Sequence, residues 1–559
     1  MKHYDVIILG GGLAGLTLSI QLKRKKPDIS ILVLERRKEN APKSAHKVGE
    51  STVELASYYF REVIGIKDYL IKHELPKYGL RFFFKSHTKD VIDSRVELGP
   101  RKWLYTPSHQ LDRGTLENHL AEVTQQQYGT DFVLDAMVKD VEFGKDKSVV
   151  TYTHKGEEVQ ASCRWVADAT SRHSFLKRKL GFAKPMEHHV NAVWWRLKGV
   201  IDITDWSESE EWRNYPEVKL RYLSTVHFLD KGYWVWVIPL GTKNTSIGIV
   251  ADPAVHPFDT FDTYEKSLEW LKVNEPLCYK MLEPETGNKM DFKILKHFAH
   301  NTGRLYDGGQ RWGVTGEAGA FLDPFYSPGS DFIAMNNTWL SDLILRELGG
   351  EDVQFRAEIY EQTHLGLVES WIPIYQDKYL LMGSSQIMTA KILWDWAIYW
   401  AVPALLFTNN AFTDLRMLKN LFSSSDSLGQ RFRKLHEQMQ KLFLAWAPYD
   451  NNRIFEKKFV DPIDLSYMLD FQTDINTPYG DKLLEKVGDN MAVLEKVAAE
   501  IFRRVSHHAK GTPIEMAVNP YTMDLENPMP QESSINIPRD EKIIKDVDVL
   551  WFYEELEPA

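Results

Sequence analysis

The chain has 559 residues, with 68 basic and 78 acidic side chains and a formal net charge of -10. This length allows a sizeable core, and the acidic balance argues against nucleic acid as the main partner, because phosphate contacts need clustered Lys and Arg. The two cysteines, Cys163 and Cys278, exclude a disulfide framework and a Cys-x-x-Cys metal site. We therefore expect no metal ion and a reducing, cytoplasmic location.

The first residues show a nucleotide-binding pattern. The apolar run 6–9 ends at Gly10-Gly11-Gly12-Leu13-Ala14-Gly15, and an apolar helix pattern and a second apolar run follow, the latter ending at Glu35-Arg36. This order predicts a Rossmann-like βαβ unit, with Gly10, Gly12 and Gly15 close to a pyrophosphate at the helix N-terminus and Glu35 near a ribose. Leu13, Ala14 and Arg36 complete the predicted cofactor-binding residues of this unit. The motif alone leaves NAD and FAD open. The early apolar run leaves no room for a signal peptide, so we expect none.

The next segments alternate between helix and strand patterns. Helices are predicted over 53–63 and 111–127, with Lys77 between them, and strands over 133–141, 148–152 and 164–168. Between 185 and 298, aromatic-rich alternating segments at 193–197, 222–228, 233–238 and 245–250 predict an antiparallel sheet. A turn at 313–317 and a helix over 331–348 then return the chain to the nucleotide-binding core.

Beyond residue 349 the sequence is mostly helical to about residue 508, and a Pro-rich stretch from 513 to 538 is predicted to be irregular. The apolar stretch 392–407 carries Asp395 and Pro403 and is shorter than the ~20 residues that span a bilayer. We interpret it as a buried or partner-facing helix pair, and we do not expect membrane association.

The predicted fold class is α/β, with a Rossmann-like nucleotide-binding domain, an inserted antiparallel sheet that serves the substrate, and a mostly helical C-terminal extension. The predicted boundaries are 1–184 and 299–348 for the two parts of the nucleotide-binding core, 185–298 for the sheet domain, and 349–559 for the extension.

Three later motifs resemble the large group of FAD-dependent monooxygenases. They are Asp168-Ala169-Thr170-Ser171, Gly316-Glu317-Ala318-Gly319 and Gln110-Leu111-Asp112-Arg113. The resemblance implies that the core binds FAD and that Arg113, Asp168 and Glu317 lie beside this cofactor. Ala169 stands where the group usually has Gly, and Glu317 where it usually has Asp. We find no second glycine motif in a βαβ unit, so we expect a separate NAD(P)H-dependent flavin reductase to supply FADH2.

Within that group, four segments resemble the flavin-dependent halogenases. They are Trp234-x-Trp236-x-Ile238-Pro239, Phe321-x-x-Pro324-x-x-Ser327-x-Gly329, Val48-Gly49-Glu50-Ser51-Thr52 and Lys77-Tyr78-Gly79. The resemblance covers roughly residues 4 to 345. It implies that Gly49, Glu50 and Ser51 contact the flavin, that Trp234, Trp236 and Pro239 lie on the substrate side, and that Lys77 is catalytic. It also implies FADH2, O2 and a halide ion as reactants, with a flavin C4a-hydroperoxide producing hypohalous acid, which the Lys77 amine holds beside an aromatic substrate.

Two positions depart from the family pattern. Tyr326 stands where the tryptophan-acting members have a Glu, so we expect Tyr326 on the substrate side and a phenol or pyrrole, either free or tethered to a carrier protein, as the substrate. Pro328 lies in the loop whose backbone N–H groups hold halide in the family, and proline has no N–H. Gly329 and Ser330 are the remaining halide donors, and Gly329 also borders the flavin.

Several other roles stay open. Arg81 and Lys85 are fallback candidates for the catalytic cation, and five further side chains could line a pocket for a planar ring or pack within the sheet: Trp103, His188, His189, Trp194 and Trp195. The rival enzyme is a flavin monooxygenase or dehydrogenase on the same fold, which Pro328 favours. A flavin-binding protein without catalysis is the other rival, and the intact glycine motif and Lys77 count against it.

Overall fold

Two eight-stranded sheets form the framework of the residues described by this computed structural model, which are 1–41, 49–215, 220–422, 424, 427–451, 453–511, 513–527 and 535–553. Val48 of the predicted flavin loop and residues 528–534 of the Pro-rich stretch lie outside them. The fold is mixed α/β, as predicted.

The first sheet carries the glycine motif. Its strands, in spatial order, are Tyr306–Asp307, Trp312–Val314, Glu157–Asp168, Lys2–Leu9, Ile31–Leu34 and Asp131–Val133, and Ala136–Glu142 and Ser148–His154 extend it beside Glu157–Asp168. The pairs around Lys2–Leu9 are parallel. Ile31–Leu34 is buried at every position, which explains its continuous apolar run, because both faces of a parallel sheet are covered.

The second sheet is largely antiparallel. Its strands, in spatial order, are Lys289–Leu295, Asn191–Lys198, Asn244–Ala251, Tyr233–Pro239, Thr225–Asp230, Leu80–Phe84, Glu97–Leu98 and Phe459–Val460. The last three strands come from outside the segment 185–298, so the sheet extends beyond the boundaries predicted for it. The short strand Leu75–Lys77 pairs separately with Ser108–Gln110, and Ala183–Lys184 with Asn301–Thr302.

Helices cover both sheets and form most of the C-terminal part. The α-helices are Leu13–Lys25, Glu54–Tyr58, Lys67–His73, Arg113–Glu122, Phe175–Lys179, Glu210–Asn214, Tyr264–Asn274, Pro276–Leu282, Gly329–Leu348, Gln354–Tyr375, Ser385–Tyr399, Leu405–Thr408, Leu415–Phe422, Leu428–Trp446, Ser466–Asp474, Leu483–Lys510 and Glu541–Val549. Three π-helical turns, Tyr59–Ile64, Val123–Gln127 and Trp400–Ala404, continue helices that precede them. The helical reading of 349–508 is confirmed, whereas the helix Glu541–Val549 was not predicted.

One helical stretch, Ser385–Thr408, has the length and apolar composition that could cross a membrane. In this fold 94% of its most apolar 18-residue window is buried inside the protein. The stretch is therefore a core element, as its interpretation as a buried helix anticipated.

Candidate active site

The glycine turn brings the chain closest to itself at Gly10 and Gly15. Gly10 has φ +106°, and a Cβ atom there would lie 2.4 Å from the Ala169 carbonyl oxygen. A Cβ atom on Gly15 would lie 2.0 Å from the Gly10 carbonyl oxygen. Gly12 is the N-cap of the helix Leu13–Lys25 and has no side chain to cap it, so the free N–H groups of the first turn face the cleft.

Glu35, at the end of the second parallel strand, closes this turn. Its carboxylate accepts hydrogen bonds from the N–H groups of Gly11, at 2.8 Å, and Arg37, at 2.9 Å. Arg36, predicted to bind the cofactor, is exposed. Arg37 takes the position beside the turn instead, donating to the Gly11 carbonyl oxygen at 3.1 Å. Its Nη1 is buried with no partner among the described residues, so a nucleotide oxygen would satisfy it.

A cleft of about 1390 Å³, including its open mouth, runs from the glycine turn between the two sheets. Predicted site residues that line it are Gly12, Leu13, Ala14, Gly49, Glu50, Ser51, Arg113, Trp234, Trp236, Glu317, Gly329 and Ser330. The helix N-terminus in its lining fits the pyrophosphate of FAD. Asp168 is not among the residues that line the cleft. It stabilises the turn after its strand by accepting hydrogen bonds from the N–H groups of Thr170, at 2.9 Å, and Leu176, at 2.7 Å.

The two tryptophans of the Trp-x-Trp-x-Ile-Pro motif line the flavin cleft because alternate residues of a strand share a face. Trp234 donates its indole N–H to the Tyr379 hydroxyl at 2.9 Å, and Trp236 donates to Ser246 at 3.1 Å. Both rings are therefore fixed. Pro239 ends the strand outside the cavities described here.

Lys77 lies in a second cavity. The strand Leu75–Lys77 places it opposite Ser108, and its Nζ donates to the Thr52 carbonyl oxygen at 2.7 Å. The cavity, about 750 Å³ including its open mouth, is mostly aromatic and apolar, and its lining includes Leu80, Leu104, Tyr326, Trp371, Tyr375, Trp396, Tyr399 and Trp400. A lining of this kind suits the face of a planar aromatic molecule.

Three carboxylic acids line this cavity with Lys77, and two of them, Glu54 and Asp331, interact with its charge. Glu54 accepts from the Gln472 side chain at 3.0 Å, and Asp331 accepts from the Ala56 N–H at 2.9 Å and the Tyr399 hydroxyl at 2.8 Å. Burial lowers the pKa of Lys77 to about 7, against the opposing charges of Glu54 and Asp331. Burial also raises the pKa of Asp331 to about 7. Burial likewise raises the pKa of Glu54. Because the charge of each group shifts the pKa of the other two, the three groups titrate as a coupled set.

Two segments separate the cavities and line both. In the first, Glu50 and Ser51 face the flavin cleft, whereas Glu54 faces the lysine cavity. In the second, Gly329 and Ser330 face the cleft, whereas Asp331 faces the lysine cavity. These two segments therefore form part of the wall between the flavin cleft and the Lys77 cavity.

Pro328 is the N-cap of the helix Gly329–Leu348. Its carbonyl oxygen accepts the first bond of the helix, from the Phe332 N–H at 3.1 Å. The N–H groups of Gly329 and Ser330 precede that bond and lie at the positive end of the helix dipole. They remain able to hold an anion despite the missing N–H of Pro328.

The fallback cations are engaged elsewhere. The Arg81 guanidinium is fully buried against Glu97, and Lys85 pairs with Asp230 at 3.3 Å. Neither was brought to the lysine cavity, so their candidacy as the catalytic cation was wrong.

Among the five residues considered for a ring pocket, Trp194 lines the flavin cleft. Trp195 lies on the opposite face of the same strand, in a separate hydrophobic cluster, while Trp103 and His189 are exposed. His188 is buried and bonded to Asp323 at 2.7 Å. Only Trp194 therefore contacts either cavity.

Sequence reasoning missed most of the lysine cavity. Glu54, Asp331 and Asp395 are acidic residues on three separate helices, and Trp396 and Tyr399 belong to the apolar stretch interpreted as a helix pair. The tryptophan and tyrosine content of that stretch was the available signal, because aromatic side chains with polar tips often line ligand sites.

Comparisons with known proteins found related sequences and a related fold. Residues 3–247 match the FAD binding domain family. The chain is 26% identical to the flavin-dependent halogenase chlA of Dictyostelium discoideum over 435 residues, which are 72% of this chain and 70% of the relative. It is 24% identical to the 1H-pyrrole-2-carbonyl-(peptidyl-carrier protein) brominase of Pseudoalteromonas luteoviolacea, over 63% of this chain and 79% of the relative.

A solved structure of halogenase PltM in complex with phloroglucinol and FAD shares the fold, with a TM-score of 0.61 at 16% identity over 87% of this chain and 96% of that one. The protein is thus a flavoprotein, an FAD-dependent enzyme built on an FAD binding domain. Within that class the resemblance to the flavin-dependent halogenases is confirmed.

Proposed function

We propose that this enzyme halogenates an electron-rich aromatic ring, a phenol or a pyrrole, with FADH2, O2 and chloride or bromide. The observation that carries the proposal is the pair of adjoining cavities, one lined by the glycine turn and the Trp-x-Trp motif and the other containing Lys77 among aromatic side chains. In this arrangement the aromatic ring would bind away from the flavin, and the oxidised halogen would bind to the Lys77 amine before it reacts.

When bound, reduced FAD with O2 would supply the two-electron oxidation of halide to hypohalous acid. The N–H groups of Gly329 and Ser330 would hold the halide at the cleft wall. Trp234 and Trp236, fixed by hydrogen bonds to Tyr379 and Ser246, would fill the space beside the flavin and exclude the substrate from it. Arg113, which donates to Glu117 at 2.8 Å and lines the cleft, would steady the cofactor.

Lys77 would act in its cationic form. Its Nζ is held by the Thr52 carbonyl oxygen and balanced by Glu54 and Asp331. A donated N–H bond would orient hypohalous acid with its halogen toward the ring, and the ammonium would protonate the hydroxide as it leaves. A pKa of about 7 allows the same amine to give a proton and to take one back.

The supply and the setting of the reaction are part of the proposal. A separate NAD(P)H-dependent reductase would provide FADH2, since no second dinucleotide motif was found in the sequence. The aromatic substrate would be a free small molecule or one tethered to a carrier protein, as the name of the brominase relative describes for its own substrate. Cys163 and Cys278 are buried free thiols, in line with a cytoplasmic location.

Purified protein given FADH2, O2, bromide and a panel of phenols, pyrroles and indoles tests this function by mass spectrometry. We expect bromine isotope pairs on phenol or pyrrole products. Products that gain oxygen alone, even at high bromide, would establish the rival monooxygenase function. Absence of flavin binding would refute the cofactor assignment itself.

A further inference from the structure

A buried hydrogen-bond network crosses the wall of the Lys77 cavity. Tyr326 and Asp395 both line the cavity, and the Tyr326 hydroxyl donates to Asp395 Oδ2 at 2.9 Å. The Lys391 ammonium donates to the same oxygen at 2.5 Å, and the Gln440 amide donates to Oδ1 at 2.7 Å. Tyr326 comes from the flavin-side loop, whereas the other three residues come from two C-terminal helices.

The Tyr326 oxygen is the atom of this network that suits a ligand in the cavity, whereas Gln440 Oε1, which is buried without a partner among the described residues, belongs to a residue that does not line it. Because the Tyr326 O–H is directed to Asp395, its oxygen offers lone pairs and acts as an acceptor. Asp395 in turn already has three donors, one of them the cation of Lys391, which is only 1% exposed. When Asp395 takes a proton through Tyr326 from a bound hydroxyl group, the negative charge passes to that hydroxyl oxygen, so the buried Lys391 ammonium keeps an anion within the same network.

We propose that Tyr326, backed by Asp395 and Lys391, binds the hydroxyl group of a phenolic substrate and accepts its proton when the ring is halogenated. The inference rests on the proposed function and narrows its substrate class from phenol or pyrrole to phenol. A phenol O–H ionises far more readily than a pyrrole N–H, so it suits a relay that ends on a carboxylate. This role would explain why Tyr326 stands at the position where the tryptophan-acting members have a Glu.

The proton and electron balance closes within the cavity. As the O–X bond of hypohalous acid breaks and the C–X bond forms, the ring is oxidised and the halogen is reduced. The phenolic proton moves to the Tyr326 oxygen while the Tyr326 proton moves to Asp395. The departing hydroxide takes a proton from the Lys77 ammonium and leaves as water. The ring carbon then loses its proton to the Lys77 amine, and the relay returns a proton to the phenolic oxygen.

The binding test uses resorcinol and its dimethyl ether, which lacks the donor, with the FAD-loaded protein and with the flavin-free chain in a titration calorimeter. Wild-type protein should bind resorcinol about tenfold more tightly than the dimethyl ether, because a factor of ten corresponds to one hydrogen bond to a well-placed acceptor. Tyr326→Phe should bring that preference to about onefold. Tyr360→Phe is the matched control, because it removes another buried tyrosine-to-carboxylate bond, 2.7 Å to Asp342, outside the cavity.

The rate test uses Asp395→Asn, which retains an acceptor for the Tyr326 hydroxyl but no base. This variant should keep the resorcinol preference while single-turnover bromination of resorcinol falls by about a hundredfold or more. An absent preference in the wild type, a preference that survives Tyr326→Phe, or an equal loss in Tyr360→Phe would overturn the hydroxyl site. Failure of the wild type to brominate, with the preference intact, would instead refute the proposed function and support the hydroxyl site alone.

Discussion

Replacing Lys77 with methionine should stabilise the protein, because burial of the lysine amine lowers the free energy of unfolding. Lys77 is 4% exposed, and burial lowers its pKa from 10.5 to about 7 despite the nearby charges of Glu54 and Asp331. At about 1.36 kcal/mol for each factor of ten in the ionisation constant, this difference corresponds to about 5 kcal/mol. Loss of the hydrogen bond to Thr52 offsets about 1 kcal/mol, and methionine packs well against aromatic rings. The difference, on the order of 4 kcal/mol, is the net gain that we expect near neutral pH.

The pH dependence gives the sign of this effect independently. The folded-state pKa of Lys77 is below its unfolded value, so the unfolded chain binds more protons between pH 7 and 10.5 and wild-type stability should rise with pH across that window. Asp331, whose pKa is raised to about 7, has ionised by pH 8. Chemical denaturation at pH 8 and 9.5 should therefore show the rise in the wild type and a flatter profile in Lys77→Met. If Lys77→Met is no more stable than the wild type and its stability has the same pH slope, burial of the Lys77 amine does not destabilise the folded protein.

Three further changes have defined outcomes. Gly15→Ala should lower FAD affinity at least tenfold, measured by flavin fluorescence, because its Cβ would lie 2.0 Å from the Gly10 oxygen; unchanged affinity would contradict the turn geometry. Glu54→Gln should lower the pKa of Lys77 further, so the loss of bromination above neutral pH should begin at a lower pH, and an unmoved pH profile would remove Glu54 from the coupled set. Pro328→Ala restores a backbone N–H at the helix N-terminus and should lower the apparent KM for bromide several-fold; an unchanged value would place the halide elsewhere.

The flavin half of the site could be predicted because its signals are local. The glycine turn, its flanking strands and Glu35 occupy one continuous stretch, and the alternation around Trp234 and Trp236 fixed the face they share. The sequence could not show that Arg37, and not Arg36, lies beside the glycine turn. The direction of each side chain at the end of the strand depends on the turn that follows.

The lysine cavity could be predicted only at Lys77 and Tyr326. Asp331 and Asp395 are far apart in the chain and meet through helix packing, which leaves no spacing rule in the sequence. The helix Glu541–Val549 is different, because a signal was present. Asp540 caps it, accepting from the Lys542 and Ile543 N–H groups, and an acidic cap before apolar residues at helical spacing is a recognisable helix start.

We expect halogen made in the flavin cleft to reach the ring only through Lys77. One turnover of the FADH2-loaded protein with O2, bromide and resorcinol tests this expectation in the wild type and in Lys77→Met, with flavin reoxidation followed optically and bromoresorcinol by mass spectrometry. We predict equal reoxidation rates in both proteins, with bromoresorcinol formed by the wild type and reduced by at least a hundredfold in the variant. Equal yields of bromoresorcinol from the two proteins would contradict this expectation.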